Sequence, residues 1–174
     1  SIALPEGLET IGDYAFHGCV GLSSITLPEG LETIGDYAFS GCVRLSGNLT
    51  IPGGVMTIGK LAFNECRCLN TIVITKGVTS ISKMAFSGCV RLSGNLTIPI
   101  SVKSIGEFAF QNCTSLTSVT IPSVETIQKG AFHGCNNLKI AKVLPTLFNL
   151  YNSNKQQKYK VFPKDCEIQI NKDK

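Results

Sequence analysis

The side chains best suited to chemistry here are thiols. Six of the eight cysteines recur at one repeat position: Cys19, Cys42, Cys66, Cys89, Cys113 and Cys135. They do not promise a metal site. Tetrahedral zinc wants a closely spaced Cys pair with a second pair or histidines. The only close pair is Cys66-x-Cys68, and His17 and His133 lie in opposite outermost repeats. Disulfides are allowed by distance, because stacked strands lie about 4.8 Å apart. Side chains in a ladder point the same way rather than at one another, however, so the expectation is reduced, inert thiols serving as small buried hydrophobes. That sits awkwardly with an oxidising exterior unless burial or an anaerobic habitat protects them. Cys68 and Cys166 lie outside the row, and Cys166 is the candidate for an exposed, reactive thiol. Catalysis finds no constellation. Asp13 and His17 stand four residues apart, but no nucleophile is tied to them, and two solvated turn residues account for the pair. The chain therefore reads as non-catalytic, with no cofactor and no metal. Asn48-Leu49-Thr50, Asn95-Leu96-Thr97 and Asn112-Cys113-Thr114 match the glycosylation sequon. Duplication produces such matches, and they matter only in a eukaryotic source.

The elements that carry these residues repeat. Leu27–Val43 differs from Leu4–Val20 only by Ser40 for His17, and SGCVRLSGNLTIP stands unchanged at Ser40–Pro52 and Ser87–Pro99. An Ala-Phe pair returns at Phe16, Phe39, Phe63, Phe86, Phe110 and Phe132, with spacings of 23, 24, 23, 24 and 22 residues. Such a period means a stacked solenoid. Each repeat reads L-x-x-I-x-I-P-x-x-V/L-x-x-I-G-x-x-A-F-x-G-C-x-x-L. The first apolar set, as in Leu22, Ile25 and Leu27, predicts a strand that proline stops, because proline cannot donate to a ladder. The second pair, as in Leu31 and Ile34, predicts another short strand. Ala-Phe opens a tight helical or 3₁₀ turn. Gly47 and Gly94 lengthen two repeats by one residue and predict a bulge or widened turn.

The six acids of residues 1–40 meet no Lys or Arg, giving −6, whereas residues 41–174 carry all 16 basic residues and six acids, giving +10. A solenoid spreads this into an acidic and a basic end, which solvated surface charge suffices to explain. Nucleic-acid binding is not supported, since no basic patch is interleaved with exposed aromatics. No apolar run approaches the roughly 18 residues needed to span a bilayer. Ser1 falls inside a repeat, so the chain is read as cut from a longer protein. Repeats are expected over 1–145. Residues 146–174 lose the period, carry Lys155, Lys158, Lys160 and Lys164, and end on KVFPKDCEIQI. They read as a C-terminal cap or tail with a strand-like edge and fraying last residues.

The run I-G-x-x-A-F-x-G-C-x-x-L followed by I-x-I-P resembles the BspA-like (Treponema pallidum-type) class of leucine-rich repeats over about residues 1–145. The resemblance implies a right-handed, mostly β leucine-rich repeat solenoid. Its Leu-x-x-Ile strands would form one continuous parallel sheet, with a second short strand and a short turn per repeat of about 23 residues. It carries no catalytic residue. Departures from the pattern are Thr75 for the strand-ending proline, Ser82 and Gln128 for the glycine after isoleucine, and Glu65 and Asn112 before the cysteine. Members of the family are typically secreted or surface-exposed and look like adhesins.

The candidate binding surface is the outward row of the first strands: Ser24, Asn48, Thr71, Asn95 and Ser118, beside Thr26, Thr50, Val73, Thr97 and Thr120. Together they would form an uncharged face rich in hydroxyls and amides, of the extended kind solenoids use for binding. Thr and Ser also simply suit exposed strand positions. The expected function is a non-catalytic module of a secreted or cell-surface adhesin that recognises protein or glycan. A passive stalk and a cytosolic interaction scaffold are the rivals.

Overall fold

The computed structural model describes residues 1–153 and 160–171. Its strands are β1 (Thr10–Ile11), β2 (Thr33–Ile34), β3 (Gly47–Ile51), β4 (Thr57–Ile58), β5 (Leu69–Ile74), β6 (Ser80–Ile81), β7 (Gly94–Thr97), β8 (Ser104–Ile105), β9 (Leu116–Ile121), β10 (Thr126–Ile127), β11 (Ile140–Val143) and β12 (Glu167–Ile170), and helix α1 spans Pro145–Ser153. The expected fraying of the last residues, Lys155 and Lys158 lie outside the described residues. Successive coils stack in parallel through three ladders. The first apolar set builds β3, β5, β7, β9, β11 and β12. The second builds the two-residue strands, which form an unbroken six-stranded sheet in the order β1-β2-β4-β6-β8-β10.

The first sheet departs from the expected continuity. It splits into a pair, β3-β5, and a four-stranded block, β12-β11-β9-β7. Both β3 and β7 begin on an inserted glycine, and the register slips between Gly47 and Asn48 and between Gly94 and Asn95. The predicted bulges are therefore present. Each bulged strand pairs with the coil after it but not with the coil before it, because the extra residue rotates its leading edge out of register. Upstream, Leu22–Leu27 forms no strand, only a bridge from Ile25 to Ile2.

The third ladder was not foreseen. Where a tight helical or 3₁₀ turn was expected, consecutive tight turns close through bonds to the third residue back, such as His17 N to Tyr14 O (3.0 Å) and Cys42 N to Phe39 O (3.1 Å). In each turn two residues four apart are left-handed: Tyr14, Tyr37, Leu61, Met84 and Phe108 at φ 55–58° in the first place, and Glu65 and Asn112 at φ 59° and 58° in the second, where other repeats place glycine. Between these two residues every second N–H turns to the same side. Tyr37, Phe39 and Gly41 thus donate to the carbonyls of Lys60, Ala62 and Asn64 in the next coil at 2.8, 2.7 and 2.8 Å. A bulky residue at positive φ costs about 1–2 kcal/mol, and these inter-coil bonds offset it.

Inside runs a column of phenylalanine rings. Phe16, Phe39, Phe63, Phe86, Phe110 and Phe132 stack face to face at 5.0–5.3 Å with tilts of 3–7°, and Phe162 adds a seventh ring at 5.3 Å and 9°. Val161 takes the alanine place, accepting the Phe132 N–H at 3.0 Å. β12 then pairs with β11 over four residues, Ile140 opposite Glu167 through Val143 opposite Ile170. The segment after α1 thus supplies side chains to the same column and sheet.

The cysteine row is buried from Cys42 onward, and all eight cysteines are free thiols. Each buried thiol does more than fill space. The Sγ of Cys42, Cys66, Cys89, Cys113 and Cys135 donates to the carbonyl of Phe16, Phe39, Phe63, Phe86 and Phe110, one coil back, at 3.0–3.3 Å. Burial pushes the Cys42 thiol up to about 11, with Cys19 adding to the shift, and pushes Cys89 up to about 12. Cys66 and Cys113 are likewise raised well above the usual thiol range, chiefly by burial. Cys166 corrects an expectation. It is 1% exposed, because the strand-like end folds back onto the stack, and only Cys19 and Cys68 are half-exposed. Since the thiolate is the nucleophile, a chromogenic thiol reagent at pH 8 should modify two cysteines rapidly and the other six only on unfolding. Three or more fast thiols in the native protein would show that the row is open.

Candidate binding face

Alternation along the strands decides which side chains face out. In β3, Leu49 and Ile51 point inward and Asn48 and Thr50 outward; in β9, Val119 and Ile121 point inward while Ser118 and Thr120 are half-exposed. Parallel register sets Asn48 beside Thr71 and Thr50 beside Val73. It sets Asn95 beside Ser118 and Thr97 beside Thr120. These neighbours are linked. Thr71 Oγ1 donates to Asn48 Oδ1 at 2.5 Å, Ser118 Oγ to Asn95 Oδ1 at 3.0 Å, and Asn95 Nδ2 to Thr97 Oγ1 at 3.3 Å. Such bonds, two across strands and one along β7, fix the side chains that would meet a partner and lower the entropy lost on binding.

The structure therefore brings the predicted residues together as two patches, Asn48/Thr50/Thr71/Val73 and Asn95/Thr97/Ser118/Thr120. Ser24 and Thr26 are exposed but lie beyond the first break, beside a single bridge. Register also extends the rows into residues not foreseen: Ile140 and Lys142 follow Ser118 and Thr120, and Glu167 and Gln169 follow those. The alternation in EIQI was the available signal, but nothing in it specified a partner strand. The face is uncharged until Lys142 and Glu167. A further hydroxyl row, Thr10, Thr33, Thr57, Ser80, Ser104 and Thr126, runs along the six-stranded sheet, with Ser80 Oγ 3.0 Å from Ser104 Oγ.

The Asp13–His17 pair is not a unit. Asp13 Oδ1 accepts the Asp36 N–H at 2.7 Å, and His17 stands edge-on to Tyr14 and Tyr37 at 5.6 and 6.3 Å. Among the described residues no group of three or more His, Cys, Asp or Glu converges to hold a metal.

This coil geometry and motif define a leucine-rich repeat protein. The profile described as "BspA type Leucine rich repeat region" matches six copies over residues 1–94 and 47–162. The chain belongs to the BspA-type leucine-rich repeat family. It is similar to the crystal structure of a Treponema pallidum leucine-rich repeat protein, with 28% identity, a TM-score of 0.70, and coverage of 98% of this chain and 86% of that one. It is also similar to a leucine-rich cell surface protein of Faecalibacterium prausnitzii (27% identity, TM-score 0.65, 83% of this chain and 36% of that one). A leucine-rich repeat protein of Eubacterium ventriosum is similar at 25% identity and TM-score 0.62, over 71% of this chain and 32% of that one. The chain thus spans about a third of the length of these last two. No curated protein matches significantly. The repeat family marks the chain as a protein-interaction module. No helix of the described residues is long and apolar enough to cross a membrane.

Proposed function

We propose that this chain is the recognition segment of a secreted or cell-surface adhesin, which binds a protein or glycan of a host or neighbouring cell through the outward face of the first sheet. The observation that carries this reading is the uncharged amide and hydroxyl rows, whose members are hydrogen-bonded to one another and mounted on a rigid stack. A preformed polar face can exchange water for a partner's donors and acceptors at little ordering cost. Similarity to a protein described as a cell surface protein supports the location. The repeats carry no chemistry of their own in this reading. The eight free thiols favour a second reading, a scaffold in a reducing compartment, but burial of the cysteine row reconciles them with the exterior.

The test is binding of the isolated chain to a panel of extracellular-matrix proteins and immobilised glycans. The double substitution Asn95→Lys/Thr97→Lys should weaken binding at least about thirtyfold, roughly 2 kcal/mol, because two ammonium groups would be desolvated at the centre of the face. The melting temperature should not change, since both positions are exposed. Binding that survives the pair places the site elsewhere. A panel with no binder leaves the stalk reading.

A further inference from the structure

Resting on that reading of the first sheet as the binding face, we propose that the break between β5 and β7 is a peptide-binding cleft. Its occupant is a short extended segment carrying a branched aliphatic side chain next to a carboxylate. β5 ends the two-stranded sheet and β7 ends the four-stranded block; the two coils meet at the start of the seam, where Ser93 N donates to Asn70 O at 3.0 Å, and beyond that bond two open strand edges face each other within one surface. The gap is held open. On one side of it the same two coils are joined by pairing of β6 with β8, Ser80 opposite Ser104 and Ile81 opposite Ile105. On the other they are joined by Phe86 N to Ala109 O and Gly88 N to Gln111 O, both 2.8 Å. Neither coil can slide to close the seam without breaking these ladders.

What the seam encloses is an open cleft of about 500 Å³, within the range of small-ligand sites. Val73 and Ile100 line it and are 52% and 63% exposed, isolated apolar groups on a polar face. Asn95 and Thr97 supply an amide and a hydroxyl. Lys76 is an exposed cation at the same cleft with no ion pair among the described residues. Thr75 lines the cleft too, and its Oγ1 is the one buried side-chain polar atom without a hydrogen-bond partner among the described residues. Proline stands at this strand-ending place in five other repeats, at Pro5, Pro28, Pro52, Pro99 and Pro122. An unsatisfied buried hydroxyl costs about 1–3 kcal/mol, and here it marks the departure from the repeat beside the cleft.

The chemistry selects a peptide. Free strand edges pair with extended main chain, as in strand addition to a sheet. No aromatic ring lines the cleft to stack on a sugar. Val73 and Ile100 suit an aliphatic side chain, and Lys76 suits a carboxylate beside it. The earlier break, before β3, lacks these features: Pro28 and Glu29 stand where Thr75 and Lys76 stand here, so the charge is reversed and no hydroxyl is orphaned.

The experiment titrates the isotope-labelled chain with acetyl-Thr-Ile-Val-Asp-amide and, separately, acetyl-Thr-Ile-Val-Lys-amide, following backbone amide resonances. The acidic peptide should shift amides of residues 72–76 and 95–100 and bind about tenfold or more tightly than the basic one, with the gap narrowing as salt is added. Lys76→Glu, at an exposed position, should keep the melting temperature and reverse the order of the two peptides. Shifts located elsewhere, or the same affinity for both peptides, overturn the proposal. So does a neutral oligosaccharide that shifts these amides when neither peptide does; that outcome makes the cleft a glycan site. If neither probe touches the cleft while Asn48→Lys/Ser118→Lys abolishes binding to the panel, the cleft falls and the binding face stands.

Discussion

Phe86→Ala should destabilise the protein by about 3–5 kcal/mol, lowering the melting temperature by roughly 6–20 °C for a chain of this size. The ring has no exposure and is sandwiched between Phe63 at 5.2 Å and Phe110 at 5.3 Å. Removing it deletes both stacking contacts, each worth about 0.5–1.5 kcal/mol beyond burial, and leaves a cavity. That cavity cannot collapse. The flanking rings are tied to their own coils, and the coils are spaced by backbone bonds, among them Phe86 N to Ala109 O and Phe63 N to Ala85 O, both 2.8 Å. The substituted backbone keeps its bonds, so the loss reports the ring alone. Urea unfolding with a loss below about 1 kcal/mol would show that the column does not hold the stack.

The same substitution at Phe162 should act differently. Its ring is 2% exposed and closes the column against Phe132, so the intrinsic loss is again about 3–5 kcal/mol. A stack of coils behaves as a chain of nearest-neighbour units, and the last unit is secured mainly by this ring and by pairing of β12 with β11. Removal should release that unit before the rest unfolds. Hydrogen exchange at the β12 amides and at Phe132 N should quicken about a hundredfold. The global melting temperature should fall less than it does for Phe86→Ala. Equal falls at both sites would mean the stack melts as one block.

Much of this was legible in the residues. The Ala-Phe period announced the column, the first apolar set became strands from β3 onward and the second pair did so throughout, and Gly47 and Gly94 marked the bulges. Those signals are local or strictly periodic. Phe162 was missed because α1 stretches the step from Phe132, and because Cys166 follows it by four residues where Cys135 follows Phe132 by three. Its burial is a tertiary fact that no spacing rule held. The left-handed residues were hidden for another reason: Tyr, Leu, Met and Phe do not favour positive φ, so only the inter-coil bonds disclose that conformation. The break at β7 needed both strands, since one inserted glycine predicts a bulge but not which neighbour it loses. Thr75 and Lys76 were visible as a departure and a charge. Their meeting with Asn95 and Ile100 across the gap was not.

The turn ladder has one directional property. Each of its inter-coil N–H groups, from Tyr14 to Phe132, points toward the later coil, and each accepting carbonyl points back. Unlike the β-ladders, where such moments alternate and cancel, these add along the axis. The fixed charges agree in sense, −6 over the first forty residues and +10 over the rest. The protein is thus an electrical rod with a negative head and a positive tail. At low ionic strength two such rods lying side by side favour opposite headings, a bias that fades once the Debye length shrinks to about 8–10 Å.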